Sequence, residues 1–390
     1  MVILPFESDF LLFSRMLNAC FTHKTTIMEK ILITGASGFI GSFLVEEAHA
    51  RHFDVWAGIR ATSSRKYLQA EWLNVLALDM TDAAVLRGQL ERFKAKYGKW
   101  DVIVHAAGAT KCLHAEDFML HNYTCTKNLV DTLVSLDMIP RKFIYMSSLS
   151  VTGPVRDDAC PPSTVTVPQG LPATGQFVDR YTVRESVYSD ISMTDTACPN
   201  TAYGESKLKT EEYLRQVEGL PWVVLRPTGV YGPRERDYFL MAKSIKNHVD
   251  FSVGYQPQEI TFVYVKDLVG AVFAAVEKDV YGRTYFVSDG YVYTSRAFSD
   301  LLQEHLGVKS VLHIKAPLWV LRAVSAVAEF WSGLTGKTST LNGDKYKIMK
   351  QRNWRCDVSG MVDELGYIPQ WNLQRGVEET VNWYKKEKWI

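Results

Sequence analysis

The chain has little of what would mark a specialised class of protein. Six cysteines in 390 residues, Cys20, Cys112, Cys125, Cys160, Cys198 and Cys356, are too few and too scattered for a disulfide framework. No Cys-x-x-Cys pair and no His at ligand spacing points to a metal. A reducing, cytoplasmic setting without a structural metal is expected. Charge of one sign is also lacking: 44 basic against 43 acidic residues leave a formal net charge of +1. That balance gives no electrostatic reason to expect nucleic acid or an anionic membrane as partner, and no local patch is evident in the sequence. Long hydrophobic runs are missing too. The most apolar segment, Ala316 to Trp331, is broken by Arg322 and Glu329. It falls short of the roughly 18 to 20 apolar residues of a membrane span and reads as an amphipathic or buried helix. The N-terminus carries Glu7 and Asp9 where a secretory leader would be basic, and offers no small-residue cleavage pattern. Met28-Glu29-Lys30 leads straight into an apolar strand, so Met28 is the expected start and residues 1–27 an extension outside the fold.

What is present is ordinary globular composition, 47% hydrophobic, 12% aromatic and 22% charged, in a chain long enough for two or three domains. From residue 30, short β-branched runs alternate with helical stretches. Strands are predicted at Ile31 to Thr34, Asp54 to Ile59, Asn74 to Leu78, Val102 to Ala106, Lys142 to Ser147, Trp222 to Arg226 and Thr284 to Ser288. Helices are predicted at Gly41 to Arg51, Ala83 to Lys96, Asn122 to Leu136 and Ser206 to Glu218. Such alternation implies right-handed crossovers and an α/β fold, a Rossmann-type doubly wound parallel sheet covered on both faces. The rhythm breaks at Pro154 to Pro199, far longer than the usual connection of roughly 4 to 6 residues, and again after Arg226. The expected division is a dinucleotide-binding domain of residues 28–226 and 261–290, with a smaller mixed C-terminal substrate-binding domain of residues 227–260 and 291–390.

Thr34-Gly35-Ala36-Ser37-Gly38-Phe39-Ile40-Gly41 follows the first strand and opens a helix. In that context Gly35 permits a tight turn, Gly38 lets backbone approach a pyrophosphate, and Gly41 lets helix pack on strand. The pyrophosphate would meet the free N–H groups at the helix start. An Asp or Glu about 20 residues past the glycines would hold the ribose of NAD, whereas an Arg accommodates the 2′-phosphate of NADP. Arg60 stands there, with Arg65 and Lys66 behind it, while Asp54 lies at the wrong end of the strand. NADP is therefore the expected cofactor and NAD the alternative. Asp79, with Met80, after the third strand is the candidate partner of the adenine.

Tyr203-Gly204-Glu205-Ser206-Lys207 puts a phenol and an ammonium on one face of a helix. A phenol of pKa about 10 needs a neighbouring positive charge to transfer protons near neutrality. The same spacing recurs at Tyr123 with Lys127, Tyr346 with Lys350, and Tyr384 with Lys388. Of the four, Tyr203 alone follows a strand ending in Met146-Ser147-Ser148, which would set it at the ligand-binding edge of the sheet.

These residues, with His105-Ala106-Ala107, Asn122, Arg226-Pro227, Val230-Tyr231-Gly232-Pro233 and Val265-Lys266-Asp267-Leu268, resemble the extended short-chain dehydrogenase/reductases, the NAD(P)-dependent epimerase/dehydratase group. The resemblance runs from about residue 30 to the C-terminus. It implies that Ser148 holds a substrate oxygen, Tyr203 is the general acid/base, and Lys207 binds the nicotinamide ribose and lowers the tyrosine pKa. It implies that Pro227, Thr228, Gly229 and Val230 line the carboxamide, and that Ala106, Ala107, Gly108 and Asn122 complete the cofactor site. Members are often dimers, which makes a homodimer through the helix from Asn122 to Leu136 an expectation.

Departures from the group narrow the reaction. Leu149 and Ser150 stand where its dehydratases carry an Asp-Glu pair, which argues against removal of water. Pro227-Thr228-Gly229 replaces the Asn of its sugar-nucleotide epimerases and matches members resembling hydroxysteroid dehydrogenases and dihydroflavonol reductases. Leu318, Trp319, Leu321, Phe330, Trp331 and Trp354 make the C-terminal region apolar, as a pocket for an apolar ring would be, although such a helix can equally be plain core. Arg234 and Arg236 remain candidates for a phosphate. The expected activity is hydride transfer between NADP(H) and a carbonyl or hydroxyl of a small, apolar molecule. A nucleotide-sugar epimerase is the alternative, and a non-catalytic NADP-sensing regulator a second one.

Overall fold

In the computed structural model residues 28–165, 167, 171, 180–335 and 343–390 are described. The proposed start at Met28 therefore concerns residues outside that set. Seven parallel strands form the central sheet: β1 (Lys30–Thr34), β2 (Asp54–Ile59), β3 (Asn74–Ala77), β4 (Val102–His105), β5 (Lys142–Met146), β6 (Trp222–Pro227) and β7 (Arg283–Val287). Their order is β7-β6-β5-β4-β1-β2-β3. The direction of winding reverses between β1 and β4, where Thr34 pairs with His105, and a crevice must open there at the strands' C-terminal ends.

Alternate side chains of each strand feed two separate cores. Ile31 and Ile33 of β1 pack with helix α1 (Phe39–Ala50) on one face, whereas Leu32 joins Leu86, Leu90, Leu129 and Leu133 of α2 (Ala83–Tyr97) and α3 (Cys125–Ser135) on the other. Helix α4 (Ala202–Gln216) lies on this second face through Leu214, and α5 (Val265–Glu277) on the first, against α1. With both faces covered, strands such as Val102–His105 are buried at every residue, so they read as unbroken apolar runs. Each such Leu or Ile contributes about 1.5–3 kcal/mol by burial.

The remaining residues build a second layer beyond the C-terminal edge of the sheet. Gly229–Tyr231 pairs with Phe262–Tyr264, and Glu259–Ile260 is flanked by Tyr293–Thr294 and Asn353–Trp354. Val249–Val253 and Leu312–Ala316 make a separate two-stranded ribbon. The long connection from Pro154 to Pro199 is stitched into this layer wherever it is described. The Asp157 carboxylate accepts from the Arg352 and Asn353 amides, Asn353 donates to the Arg156 and Ser189 carbonyls, and buried Glu259 accepts from Ser186. Among the described residues no helix is long and apolar enough to cross a membrane.

Candidate active site

The glycine turn is held by backbone contacts that no side chain could share. Gly35 has φ +68°, and a Cβ there would fall 2.7 Å from the Ala106 carbonyl oxygen at the end of β4. A Cβ on Gly41 would fall 2.1 Å from the Gly35 carbonyl oxygen, which is how closely α1 sits on the turn. Gly38 is the N-cap of α1 and provides no capping side chain. With Ser37 before it and Phe39 and Ile40 after it, the first-turn amides stay open to an anion. Below the turn, the Thr34 hydroxyl bonds His105 Nδ1 at 2.8 Å and accepts from the Ala107 amide at 3.2 Å. His105 Nε2 meets Thr126 Oγ1 at 2.8 Å. Burial, with Lys207 nearby, lowers the imidazole pKa to about 3, so it stays neutral.

Arg60 is exposed just past the C-terminal end of β2, beside the turn, since Gly58 pairs with Thr34. Asp54, at the far end of the strand, is committed to Trp56 Nε1 and Asn74 Nδ2. Asp79 is also exposed, and its carboxylate is held below its ordinary pKa by the hydroxyl and amide of Thr81. The Met80 carbonyl accepts from Asn128.

Helix α4 carries the tyrosine and lysine. It begins at Ala202, earlier than the spacing of apolar residues suggests, because two side chains satisfy its free amides. Thr201 Oγ1 accepts from the Gly204 amide at 3.0 Å. Asp344 Oδ2, from the distant helix Gly343–Lys350, accepts from the amides of Ala202 at 2.9 Å and Tyr203 at 3.4 Å. Burial raises the Tyr203 phenol above its ordinary pKa, and its hydrogen bond with Ser148 opposes that rise. Lys207 Nζ donates to the Met146 carbonyl at 2.8 Å and lies over the Tyr145 ring. Its burial brings the ammonium down to about 8, against the pull of Glu211. A Cβ on Gly108 would lie 3.1 Å from Lys207 Nζ and 2.8 Å from Asn122 Oδ1, so the loop after β4 closes on both.

Asn122 sits in a π-helical turn, Met119–Thr124, that aims its side chain inward. Its amide accepts from Ala109 N and donates to Ala109 O and Ser206 Oγ. Ser147 and Ser148 are separated by their partners. Ser147 Oγ donates to fully buried Glu211, whose carboxylate also takes both Arg226 Nε at 2.9 Å and Nη2 at 2.6 Å. Ser148 Oγ turns toward Tyr203 and Ser150. Glu211 and Asp344 were not singled out from the sequence. The first is legible in hindsight, since Tyr203, Lys207 and Glu211 follow at four-residue steps on one helix face; the second, 141 residues from Tyr203, leaves no local signal.

Two of the other Tyr-x-x-x-Lys pairs are engaged elsewhere. Tyr123 lies under Lys209 while Lys127 pairs with Asp131, and Tyr384 is core. Beyond β6, Pro227 ends the strand, the Thr228 amide donates to Val287 O, and Gly229 and Val230 pair with Phe262 and Val263. Thr228 Oγ1 is buried with no hydrogen-bond partner among the described residues. A turn that side chains would fill, an uncapped helix start and an orphaned hydroxyl at the sheet's edge together fit a dinucleotide.

Two expectations about the substrate change. Arg234 is not free for a phosphate: its guanidinium lies 4.3 Å from the centres of both the Phe43 and Tyr67 rings and is bonded to Ser42 Oγ and Glu46. Trp319 does not line a pocket, being 73% exposed at the start of the helix Leu318–Thr335, whereas Leu321 is buried and Trp354 half-buried. The side chains of Phe330 and Trp331 lie outside the described residues.

Comparison with known proteins places this arrangement. The sequence model of the NAD dependent epimerase/dehydratase family matches residues 31–173 and 183–288. A sterol-4-alpha-carboxylate 3-dehydrogenase (decarboxylating) of Candida albicans is 22% identical, with 92% of this chain and 99% of that protein covered. A dTDP-L-rhamnose 4-epimerase of Burkholderia thailandensis is also 22% identical over 92% of this chain and 96% of its own. Among solved structures, a dTDP-glucose 4,6-dehydratase from Streptomyces venezuelae with NAD bound superposes with a TM-score of 0.67 at 19% identity, covering 92% of this chain and 98% of that one.

Proposed function

The chain belongs to the NAD dependent epimerase/dehydratase family of enzymes, and from that premise we propose that it is an NADP(H)-dependent oxidoreductase acting on a carbonyl or hydroxyl of an apolar, ring-bearing substrate. The observation that carries the reading is the grouping of half-buried Tyr203, its phenol toward Ser148, with buried Lys207 one helical turn on. Residues 28–226 and 261–290 hold the cofactor, and residues 227–260 and 291–390 cover the substrate. The glycine turn and the start of α1 take the pyrophosphate, Arg60 the 2′-phosphate, Asp79 with Met80 the adenine, and Asn122, Thr228 and their neighbours the nicotinamide end. NAD is the alternative if Arg60 serves only as a surface charge.

When bound, the nicotinamide supplies or accepts the hydride. The chain manages the proton. In reduction Ser148 donates a hydrogen bond to the substrate oxygen and Tyr203 delivers its phenolic proton to that oxygen. The phenolate left behind is stabilised by Lys207, whose position is fixed by the Met146 carbonyl. Glu211 keeps Ser147 out of the reaction by accepting its hydroxyl. Leu149 and Ser150 provide no group for removing water, which favours simple hydride transfer over dehydration.

An apolar substrate is supported by the occupation of Arg234, by Pro227-Thr228-Gly229, and by the relative named as a sterol dehydrogenase. The relative named as a sugar-nucleotide epimerase favours the second reading, in which hydride leaves and returns without net cofactor turnover. Following NADPH and NADH oxidation against ketosteroids, flavonoid ketones, aldehydes and UDP-sugars separates the two. Net oxidation with the apolar ketones is expected. Conversion of UDP-sugars alone, with no net oxidation, would replace the proposal by the epimerase.

A further inference from the structure

The ribbon of Val249–Val253 and Leu312–Ala316 leaves apolar side chains exposed. Its parallel register pairs Val249 with Leu312, Phe251 with Ile314 and Val253 with Ala316, so these six apolar side chains share one face. On the opposite face Asp250 is buried and is bonded by Arg296 and by His313 Nδ1, which fixes the register and leaves Phe251, Leu312 and Ile314 outward, while His313 and Lys315 stay exposed. Phe251 is 61% exposed, Leu312 64% and Ile314 37%. The patch continues along the chain. The Gly254 amide donates to the Ala316 carbonyl, Tyr255 (65% exposed) donates to the Lys315 carbonyl, and the next helix begins with Leu318 and Trp319, the latter 73% exposed. A contiguous apolar surface of this kind, rich in aromatic residues, marks an interaction site.

The segments that carry this surface hold exposed charge of one sign. Lys243, Lys246, Lys309, Lys315 and Arg322 are all exposed, and none has an acidic partner among the described residues. Between Asn247 and Gln258 the only acidic residue is the buried Asp250, and between Gly307 and Ala328 there is none. In sequence these cations are scattered singly over three segments, which is why no basic run is visible there. Lys243 and Lys246 lie on the helix Asp237–Lys246 that packs on the ribbon's first strand, Lys309 precedes its second strand, Lys315 is exposed within that strand on its other face, and Arg322 is near the start of the helix that follows.

We propose that this face docks the enzyme onto an anionic phospholipid surface, with Phe251, Leu312, Ile314 and Trp319 entering the headgroup boundary and the five cations meeting lipid phosphates and carboxylates. Aromatic and aliphatic side chains beside Lys and Arg are the chemistry of interfacial binding. A protein partner would more commonly be matched by a polar rim of mixed sign. No spanning helix is required. The helix that starts at Leu318 also packs on the helix Gly343–Lys350, whose Asp344 holds the start of α4, so the docked face adjoins the elements around Tyr203.

The test is flotation of the full-length protein with vesicles of phosphatidylcholine and phosphatidylserine, and with phosphatidylcholine alone. The protein should float with the mixed vesicles, less so as salt rises, and much less with phosphatidylcholine alone. The double variant Phe251→Asp/Leu312→Asp should lower the bound fraction about tenfold, and Lys315→Glu/Arg322→Glu should do the same on anionic vesicles, both with unchanged melting temperature. Absence of flotation, or equal flotation of the wild type and the Asp variant, would overturn the proposal. So would a wild-type dimer in light scattering that Leu312→Asp splits, since a second copy would then be the occupant. Flotation needs no turnover, so this inference and the proposed reaction fail independently.

Discussion

Acidification should expose the cost of keeping His105 neutral at the switch point of the sheet. The imidazole is buried between Thr34 and Thr126, and burial holds its pKa at about 3, against about 6.5 when unfolded. A depressed histidine works against stability on the acid side: between these two values the unfolded chain binds a proton that the native state refuses, so stability falls as pH drops through the unfolded pKa. By about pH 5 one refused proton, integrated over roughly 1.5 pH units below the unfolded pKa, costs about 2 kcal/mol, whereas at about pH 7.5 the cost is near zero. Other groups titrate in the same range; Asp267, raised to about 6 by burial, acts in the opposite sense. The His105 contribution is therefore isolated by comparison with His105→Asn, which retains a partner for Thr34. Urea unfolding of both proteins at the two pH values, followed by tryptophan fluorescence, should show the wild type losing about 2 kcal/mol more than the variant on acidification. Equal losses would refute the reasoning, because His105 would then be protonated alike in both states.

Three further substitutions probe the site. Gly41→Ala places a methyl 2.1 Å from the Gly35 carbonyl oxygen, so the melting curve should show a loss of about 3 kcal/mol and fluorescence titration about tenfold weaker NADPH binding. Arg60→Glu should lower the ratio of kcat/KM for NADPH over NADH by about tenfold or more in steady-state kinetics, through loss of the 2′-phosphate contact. Asp344→Ala removes the carboxylate that accepts from the Ala202 and Tyr203 amides, which should cost about 1 kcal/mol of stability and reduce kcat severalfold without changing cofactor Kd; Asp344→Asn should recover part of both.

The strands were legible in the sequence to within about a residue because a parallel sheet covered on both faces makes them short and mostly apolar. Glycine was equally direct, since the approach of Gly41 to Gly35 is local in sequence and tolerates no other residue. Contacts made over long separations were not legible. Spacing alone starts the catalytic helix near Ser206, whereas Thr201 and the remote Asp344 extend it back to Ala202 and so bring Tyr203 into it. The Pro154 to Pro199 segment reads in sequence only as an overlong connection, yet its described parts are bound by Arg352, Asn353 and Glu259, whose positions only the fold brings near. Arg234 reads as a phosphate ligand until Phe43, Tyr67 and Glu46 are seen around it. The apolar ribbon face depends on a register between residues some sixty positions apart, which no window of sequence contains.

The central claim is that Tyr203 is the proton donor, and Tyr203→Phe tests it most directly, by measuring turnover and cofactor affinity on the same protein with whichever substrate the panel reveals. Loss of the hydroxyl should lower kcat by about two to four powers of ten while the Kd for NADPH stays within about twofold, because the phenol moves a proton and does not hold the dinucleotide. Turnover within about threefold of the wild type would contradict the account and transfer the proton to another group.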